Sequence, residues 1–175
     1  MKDNITRILH WGFACLLLVI LGIGFYMTRT EFSPFLYQMH KSLGVIFSLL
    51  IGIRLYWQIK HPWKLATLKN KYERTIRNVI HCGLMILFFV MPILGLMCSG
   101  FSGFGISLFN LEIVPENFNV DGTVEPINEV LYKTAKFFHK LLAKVFAVLI
   151  FMHVAAVLKH HFINKDGTLT KMLRN

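Results

Sequence analysis

Two histidines near the C-terminus have the spacing needed to bind a metal-containing group at each side of a membrane. His139 and His153 are fourteen residues apart, about four helical turns, so both rings project from nearly the same helix face. They are separated along the helix axis by roughly 21 Å, most of a hydrocarbon core of ~30 Å. Two other apolar segments carry a histidine near one end, His10 and His40. Because imidazole is the usual axial ligand of haem iron, these four histidines suit two stacked haems with two histidine ligands each.

The elements that must position these histidines are four long apolar segments. Of the 175 residues, 55% are hydrophobic and only 16% are charged, and the mean hydropathy is +0.55. This composition excludes an ordinary soluble domain. Apolar stretches of about 20 residues cross a bilayer as helices, because a helix satisfies its own backbone in lipid. We predict an all-α fold, a single domain over residues 1–175 that forms a four-helix transmembrane bundle, with spans at about 9–27, 36–59, 79–98 and 137–158.

The basic residues predict how these spans are oriented. Both tails and the link between the second and third spans lie on one side if the chain crosses the membrane four times. They hold twelve of the nineteen Lys and Arg residues: Lys2, Arg7, Lys60, Lys64, Lys69, Lys71, Arg74, Arg77, Lys159, Lys165, Lys171 and Arg174. The link from Ser99 to Leu131 has none, so the positive-inside rule predicts cytoplasmic termini. The net charge of +10 then reflects topology and contact with anionic lipid, and we predict no nucleic-acid partner.

Membrane depth pairs the histidines. His10 and His153 lie near the cytoplasmic side, and His40 and His139 lie near the outer side. We therefore predict His10 and His153 as ligands of an inner haem iron, and His40 and His139 as ligands of an outer haem iron. A small residue, which a flat porphyrin needs beside it, lies about one turn beyond each histidine: Ala14, Gly44, Ala143 and Ala156. No cysteine belongs to a C-x-x-C-H signature, so each haem would be non-covalent and of b type.

Three polar residues at cytoplasmic depth each leave two interpretations open. His81 either competes as a haem ligand or contacts a quinone or a haem propionate, and the bulk of Met85 one turn on favours the contact. Arg54 either grips a haem propionate or extends to the interface. His160, next to His161 at the membrane edge, is either an interfacial side chain or part of a proton-carrying patch that contacts quinone.

The outer side carries a second basic feature. Lys133, Lys136, Lys140 and Lys144 recur every three or four residues, so they form one helical stripe. The stripe is either an amphipathic extension of the fourth span with salt bridges to Glu125 or Glu129, or a positive funnel that draws small anions toward the outer haem. The apolar segment Phe104–Val114 is predicted to cap the outer end of the bundle.

Several motifs, taken in order, resemble the bacterial cytochrome b-561 family of small dihaem membrane proteins. They are ILHWGF around His10, QMHKSLGVIFSLLIGIRL around His40 and Arg54, IHCGLMILFFVMPILGLM around His81, FFHKLLA at His139, FMHVAAVLKHHF at His153 and NKDGTLTKM near the end. The resemblance runs over nearly the whole length. It implies four transmembrane helices in the bacterial inner membrane and two b haems with His10, His40, His139 and His153 as axial ligands. It also implies oxidation of superoxide at the outer face, with electrons passing to ubiquinone near His81 and His160.

Two functions from different classes fit these features. The first is a superoxide:ubiquinone oxidoreductase, in which superoxide is the electron donor and ubiquinone the acceptor. The alternative is a cytochrome b subunit that anchors a dehydrogenase or hydrogenase and passes that partner's electrons to quinone. Stable co-purification of a soluble redox protein favours the anchor, whereas activity of the isolated chain favours the oxidoreductase. A haem-free scaffold or transporter would explain the hydrophobicity but not four depth-matched histidines.

Overall fold

Four long helices make up the bundle in the computed structural model, which describes residues 2–62, 70–165 and 168–173. They are α1 (Lys2–Met27), α2 (Pro34–Lys60), α3 (Lys71–Phe101) and α4 (Glu129–Lys159). A π-helical turn, His160–Asn164, and a short helix α5, Thr168–Leu173, follow. Each of the four helices is long and apolar enough to cross a membrane. The prediction of a four-span helical bundle is confirmed.

Three helices begin seven or eight residues before the predicted spans, among them α1, which starts at Lys2. Helix α3 starts at Lys71 and α4 at Glu129, because polar residues that cannot lie in hydrocarbon continue the helix into water. Side-chain caps set these starts: the Oδ1 of Asn70 accepts the N–H of Tyr72 at 2.9 Å, and the Oδ1 of Asn128 accepts that of Leu131 at 3.0 Å. Such caps satisfy backbone donors that have no partner within the helix.

The two ends of the bundle differ in what they carry. At one end, which we call the terminal end, the indole N–H of Trp57 donates to the hydroxyl of Thr6 at 2.9 Å. There too, the ammonium of Lys159 on α4 pairs with Glu73 on α3 at 2.7 Å. We call the opposite end the hairpin end, because the connection between α3 and α4 there contains two β-strands. Lys64, Lys69 and Arg174, which contribute to the predicted orientation, lie outside the described residues.

A layer of aromatic rings crosses the middle of the bundle. Each long helix contributes one ring to this phenylalanine layer: Phe13, Phe47, Phe88 and Phe146. Centroid distances within the layer run from 5.5 Å to 6.3 Å, typical of edge-to-face and offset aromatic packing. Phe146 lies seven residues from both His139 and His153. The layer therefore separates the two ends at which the paired histidines lie.

The predicted cap, Phe104–Val114, contains a β-hairpin that sequence reasoning did not predict. Strand β1 (Ile106–Leu108) pairs antiparallel with β2 (Leu111–Val114), joined by Phe109 and Asn110, and β1 packs against α2. Each strand alternates apolar and polar residues, Ile-Ser-Leu in β1 and Leu-Glu-Ile in β2, but a run of three residues is too short to indicate a strand by itself. Its stability comes from contacts with α2, which no local pattern reveals.

Candidate functional site

The hairpin end brings His40 of α2 and His139 of α4 face to face. Their ring centroids are 6.2 Å apart, and the ring planes are nearly perpendicular at 85°. The Nδ1 atoms of both rings are buried and make no hydrogen bond of normal geometry within the described part of the chain. Two buried, unpaired imidazoles in an apolar bundle are costly unless a ligand satisfies them.

A glycine on the neighbouring helix supports each of these two rings. A Cβ added at Gly24 of α1 would lie 3.0 Å from the Cε1 of His40. One added at Gly95 of α3 would lie 3.4 Å from the Cε1 of His139. Each ring therefore packs directly on a helix backbone, which restricts how far it can rotate.

A backbone carbonyl lies near each of the two rings without accepting a hydrogen bond from its Nδ1. His40 approaches the carbonyl of Ile20 and His139 that of Met91, each four residues before the supporting glycine. A neutral imidazole that directs its Nδ1–H toward a carbonyl leaves the lone pair of Nε2 free for a metal. Neither Nδ1 hydrogen-bonds its nearby carbonyl in the described structure, so the case for a metal-ligating pair rests on the burial of these atoms and on the 6.2 Å between the ring centroids.

The terminal end holds three histidines rather than two. The His10 ring of α1 and the His153 ring of α4 have centroids 6.4 Å apart at an interplanar angle of 56°. His81 of α3 stands closer to His153, with centroids 5.2 Å apart at 62°. Trp11 packs edge-on against His10 at 5.6 Å. The position of His81 beside His153 agrees with the sequence-based expectation that His81 could compete as a ligand.

Ring separation distinguishes the pairs that can share one metal ion. An imidazole nitrogen lies roughly 2 Å from a metal that it ligates, and the ring centre roughly 1 Å further back, so two rings on opposite sides of one ion have centroids roughly 6 Å apart. The separations of His40 from His139 and His10 from His153, 6.2 Å and 6.4 Å, match this value. The 5.2 Å between His81 and His153 is too short for ligands on opposite sides of one ion. Among the described residues, no group of three or more His, Cys, Asp or Glu could hold a metal ion.

Arg54 places a positive charge at the terminal end. It lies fourteen residues after His40, so α2 presents Arg54 at the depth where α4 presents His153. Its guanidinium stands over the rings of Phe13 and Phe88, 5.2 Å and 5.9 Å from their centroids. Within the described residues it forms no ion pair. A half-buried guanidinium held only by aromatic faces can still accept an anion.

The lysine stripe divides into paired and unpaired members. Lys133 forms the predicted salt bridge with Glu129 at 2.6 Å, so this part of the amphipathic interpretation is confirmed. The ammonium of Lys136 donates to the hydroxyl of Tyr132 at 2.8 Å and lies 5.0 Å from that ring's centroid. Lys140 and Lys144 form no ion pair with any described residue. The charge of Lys140, next to His139, remains available at the hairpin end, whereas Lys144 lies two residues from Phe146 of the phenylalanine layer.

His160 opens the π-helical turn, where its Nδ1 lies 3.0 Å from the Nδ2 of Asn164. A cavity of ≈ 370 Å³ lies beside this turn, lined by His161, Phe162, Lys165 and Thr170. The partnership with Asn164 was not predicted, although the i, i+4 spacing of the two residues could have indicated it. His160 thus lies next to an open cavity without lining it.

Comparisons with known proteins agree with this arrangement. The model of the prokaryotic cytochrome b561 family matches residues 3–175. The chain is 29% identical to cytochrome b561 homolog 2 of Escherichia coli K12, over 97% of this chain and 89% of that protein. It is 30% identical to a probable superoxide oxidase of Yersinia pestis, over 94% of this chain and 91% of that protein. Cytochrome b561 homolog 1 of Escherichia coli K12 is 29% identical over 78% of this chain and 73% of its own length.

The family match extends over both histidine pairs and all four spanning helices, so it covers the candidate site as well as the fold. The resemblance inferred from the sequence motifs is confirmed, and with it a cytochrome of the membrane electron-transfer type that binds haem b. The chain belongs to the prokaryotic cytochrome b561 family.

Proposed function

We propose that this protein is a dihaem superoxide:ubiquinone oxidoreductase, formed by residues 1–175 as a single domain. The observation that carries the proposal is the pair of histidine couples at opposite ends of the bundle, each with the ring separation of two ligands on one iron. His40 and His139 would hold the haem at the hairpin end. His10 and His153 would hold the one at the terminal end.

Several features besides ring separation fit haem b at these places. A Cβ added at Gly44, one turn beyond His40, would meet nothing within 4 Å, so a flat group has room beside that helix. At the terminal end, Arg54 offers an unpaired guanidinium to a propionate. When bound, haem iron supplies one-electron transfer between its ferric and ferrous states. The protein supplies ligands, a counter-charge and an apolar interior that excludes water.

Charge distribution supports an orientation for the reaction. The terminal end carries most of the basic residues and would face the cytoplasm of a bacterial inner membrane. The hairpin end would then face outward, with Lys140 next to His139 and unpaired among the described residues. A positive surface raises the local concentration of an anion such as superoxide.

The overall reaction balances across the two ends. Two superoxide anions each lose one electron at the hairpin end and leave as two molecules of dioxygen. At the terminal end one ubiquinone takes up two electrons and two protons to give ubiquinol. The name of the Yersinia pestis relative, a probable superoxide oxidase, supports superoxide as the donor.

His81 and His160 are the proposed quinone contacts. His81 lies too close to His153 for the two to bind opposite sides of one iron, so its imidazole is left for another partner. His160 lies beside the cavity at the membrane edge. Imidazoles at this depth can hydrogen-bond a quinone carbonyl and pass on protons taken up from the cytoplasm.

Reconstitution of the isolated chain tests the proposal. Purified protein in liposomes that contain ubiquinone is supplied with superoxide from an enzymatic generator, and ubiquinol is measured with and without superoxide dismutase. We expect ubiquinol formation that dismutase abolishes and that His139→Ala abolishes too. If the haem-loaded chain forms none, but co-purifies with a dehydrogenase or hydrogenase whose substrate does reduce quinone, the chain is an anchoring subunit instead.

A further inference from the structure

Three side chains on one face of α2 hold the β-hairpin in place. The side-chain amide of Gln38 donates to the carbonyl of Phe109 at 2.6 Å, and the N–H of Phe109 donates to the hydroxyl of Ser42 at 2.7 Å. The ammonium of Lys41 donates to the carbonyl of Phe104 at 2.8 Å. Both backbone groups of Phe109, the first residue of the turn, are therefore satisfied by α2.

These contacts place the hairpin turn below the membrane surface. Phe109 bonds to residues on either side of His40 along α2, so it lies at about the depth of His40. With 27 residues, α2 is roughly 40 Å long, which exceeds a hydrocarbon core of ~30 Å by roughly 5 Å at each end. His40 lies roughly 9 Å along the helix from Pro34. The turn is then a few ångströms inside the apolar region.

The hairpin covers the side of α2 opposite His40, and its first strand also contacts α3. His40 points inward to His139 and Gly24. At ~100° per residue, Gln38 and Ser42 each point roughly 160° away from His40. That side of a spanning helix ordinarily contacts lipid. Ser42 is nevertheless fully buried, because the hairpin covers it.

The turn residue itself is unusual. Phe109 has a φ of +51°, a left-handed conformation that a bulky residue adopts only at a cost. Glycine ordinarily takes this position in a two-residue hairpin turn. Phe109 is nevertheless 42% exposed, so its side chain is available for contacts outside the protein.

The free face of the hairpin is apolar. Beyond Phe109, Leu111 and Ile113 of β2 are 64% and 52% exposed, and they share a face because strand side chains alternate. Glu112 lies on the other face and is also exposed, and its carboxylate accepts the N–H of Glu116 at 3.2 Å. Backbone at membrane depth is tolerated where its polar groups are satisfied by protein. Gln38 and Ser42 satisfy those of the turn residue Phe109, and the pairing of β1 with β2 satisfies the groups that face each other between the strands.

We infer that the β1–β2 hairpin is embedded in the bilayer leaflet at the hairpin end, where Phe109, Leu111 and Ile113 contact lipid acyl chains. The hairpin thereby separates lipid from the stretch of α2 that carries His40. The inference rests on the depth and polarity of these residues and on the membrane-spanning helices. It does not depend on the proposed electron donor or acceptor.

Spin-label accessibility in liposomes tests this placement. Labels are attached at Leu111→Cys and Ile113→Cys in full-length protein whose Cys15, Cys82 and Cys98 are replaced by alanine. The control is Val120→Cys, because Val120 is fully exposed and lies in the loop that follows the hairpin. For each label, collision rates are compared for apolar dioxygen and for a water-soluble nickel chelate.

We expect the labels at positions 111 and 113 to collide more often with dioxygen than with the nickel chelate. The label at position 120 should show the reverse order. If positions 111 and 113 collide with nickel as readily as position 120 does, the hairpin lies in water and the inference is wrong. A second variant, Phe109→Gly, keeps the backbone conformation accessible. Removing the ring in this way should raise nickel collisions at position 111 at least twofold, and an unchanged ratio would contradict the anchoring role of Phe109.

Discussion

The hairpin-end pair and the terminal-end cluster reach nearly the same ring separation by different means. At the hairpin end, His40 and His139 pack on the bare backbone at Gly24 and Gly95, and the described structure places no third histidine against them. At the terminal end, His10 and His153 are crowded by side chains, among them His81. The first site is fixed by backbone contact and the second by side-chain packing. The two sites should therefore respond differently to substitution.

The largest expected effect is loss of one haem per chain on removal of a ligand. His40→Ala should leave one haem, since no spare imidazole is available. His10→Ala should also leave one, because His81 lies too close to His153 to replace the lost ligand. His81→Ala is the matched control and should retain both haems. Retention of both by His10→Ala, measured as haem per chain, would show that His81 is a ligand.

A smaller effect is expected at the glycine that supports His40. Gly24→Ala brings a methyl group 3.0 Å from the Cε1 of His40, so the ring must shift and its bond to iron weakens. We expect partial loss of the haem at the hairpin end and a melting temperature lower by several degrees, for a cost of about 1–3 kcal/mol.

Gly22→Ala is the control for that substitution, because a Cβ there would meet nothing within 4 Å. Equal haem loss and equal melting temperatures in the two variants would contradict the backbone-contact account of the hairpin-end pair. Gly95→Ala should lie between them, since its Cβ would be 3.4 Å from the Cε1 of His139.

The charge of Arg54 should distinguish the two haem sites, because it lies at the terminal end only. A nearby cation favours the reduced haem, which carries less positive charge, so Arg54→Met should lower the midpoint potential of the terminal-end haem. The expected shift is on the order of 50 mV, since 59 mV corresponds to a tenfold change in a one-electron equilibrium. Arg54→Lys retains the positive charge, so the midpoint potential of the terminal-end haem should stay close to the wild-type value. Both potentials are measured by optical redox titration. A shift in the midpoint potential of the hairpin-end haem instead would contradict the placement of Arg54 beside the terminal-end haem.

The smallest effect is expected from the unpaired lysines. Lys140→Gln should slow superoxide oxidation about 2- to 3-fold at low ionic strength, and the difference should vanish at high salt because exposed charges are screened. Lys133→Gln is the control, since Glu129 already balances that charge. Identical salt dependence in both variants would favour a purely structural role for the stripe.

The spacing of residues along the sequence predicts some features of the site and not others. The fourteen residues between His139 and His153 set their depth and shared face, and depth alone paired each with its neighbour across the bundle. Lateral contacts are not encoded in spacing, so the packing of His40 on Gly24 could not be predicted. The same limit hid the approach of His81 to His153.

The fold shows a similar division. Hydropathy located all four spans, but it could not show that α3 begins at Lys71, because polar residues at the membrane edge are compatible with helix or loop. The hairpin depends on hydrogen bonds between residues about 70 positions apart, such as Gln38 and Phe109. Contacts at that sequence separation leave no local periodicity.

The most direct test of the central claim is the haem content of the purified wild-type protein. A pyridine haemochromogen assay on detergent-purified chain, expressed with ample haem, should give two b haems per chain. One haem per chain would show that one of the two histidine couples does not hold iron. A purified chain that contains no haem would contradict the assignment of both couples as haem ligands.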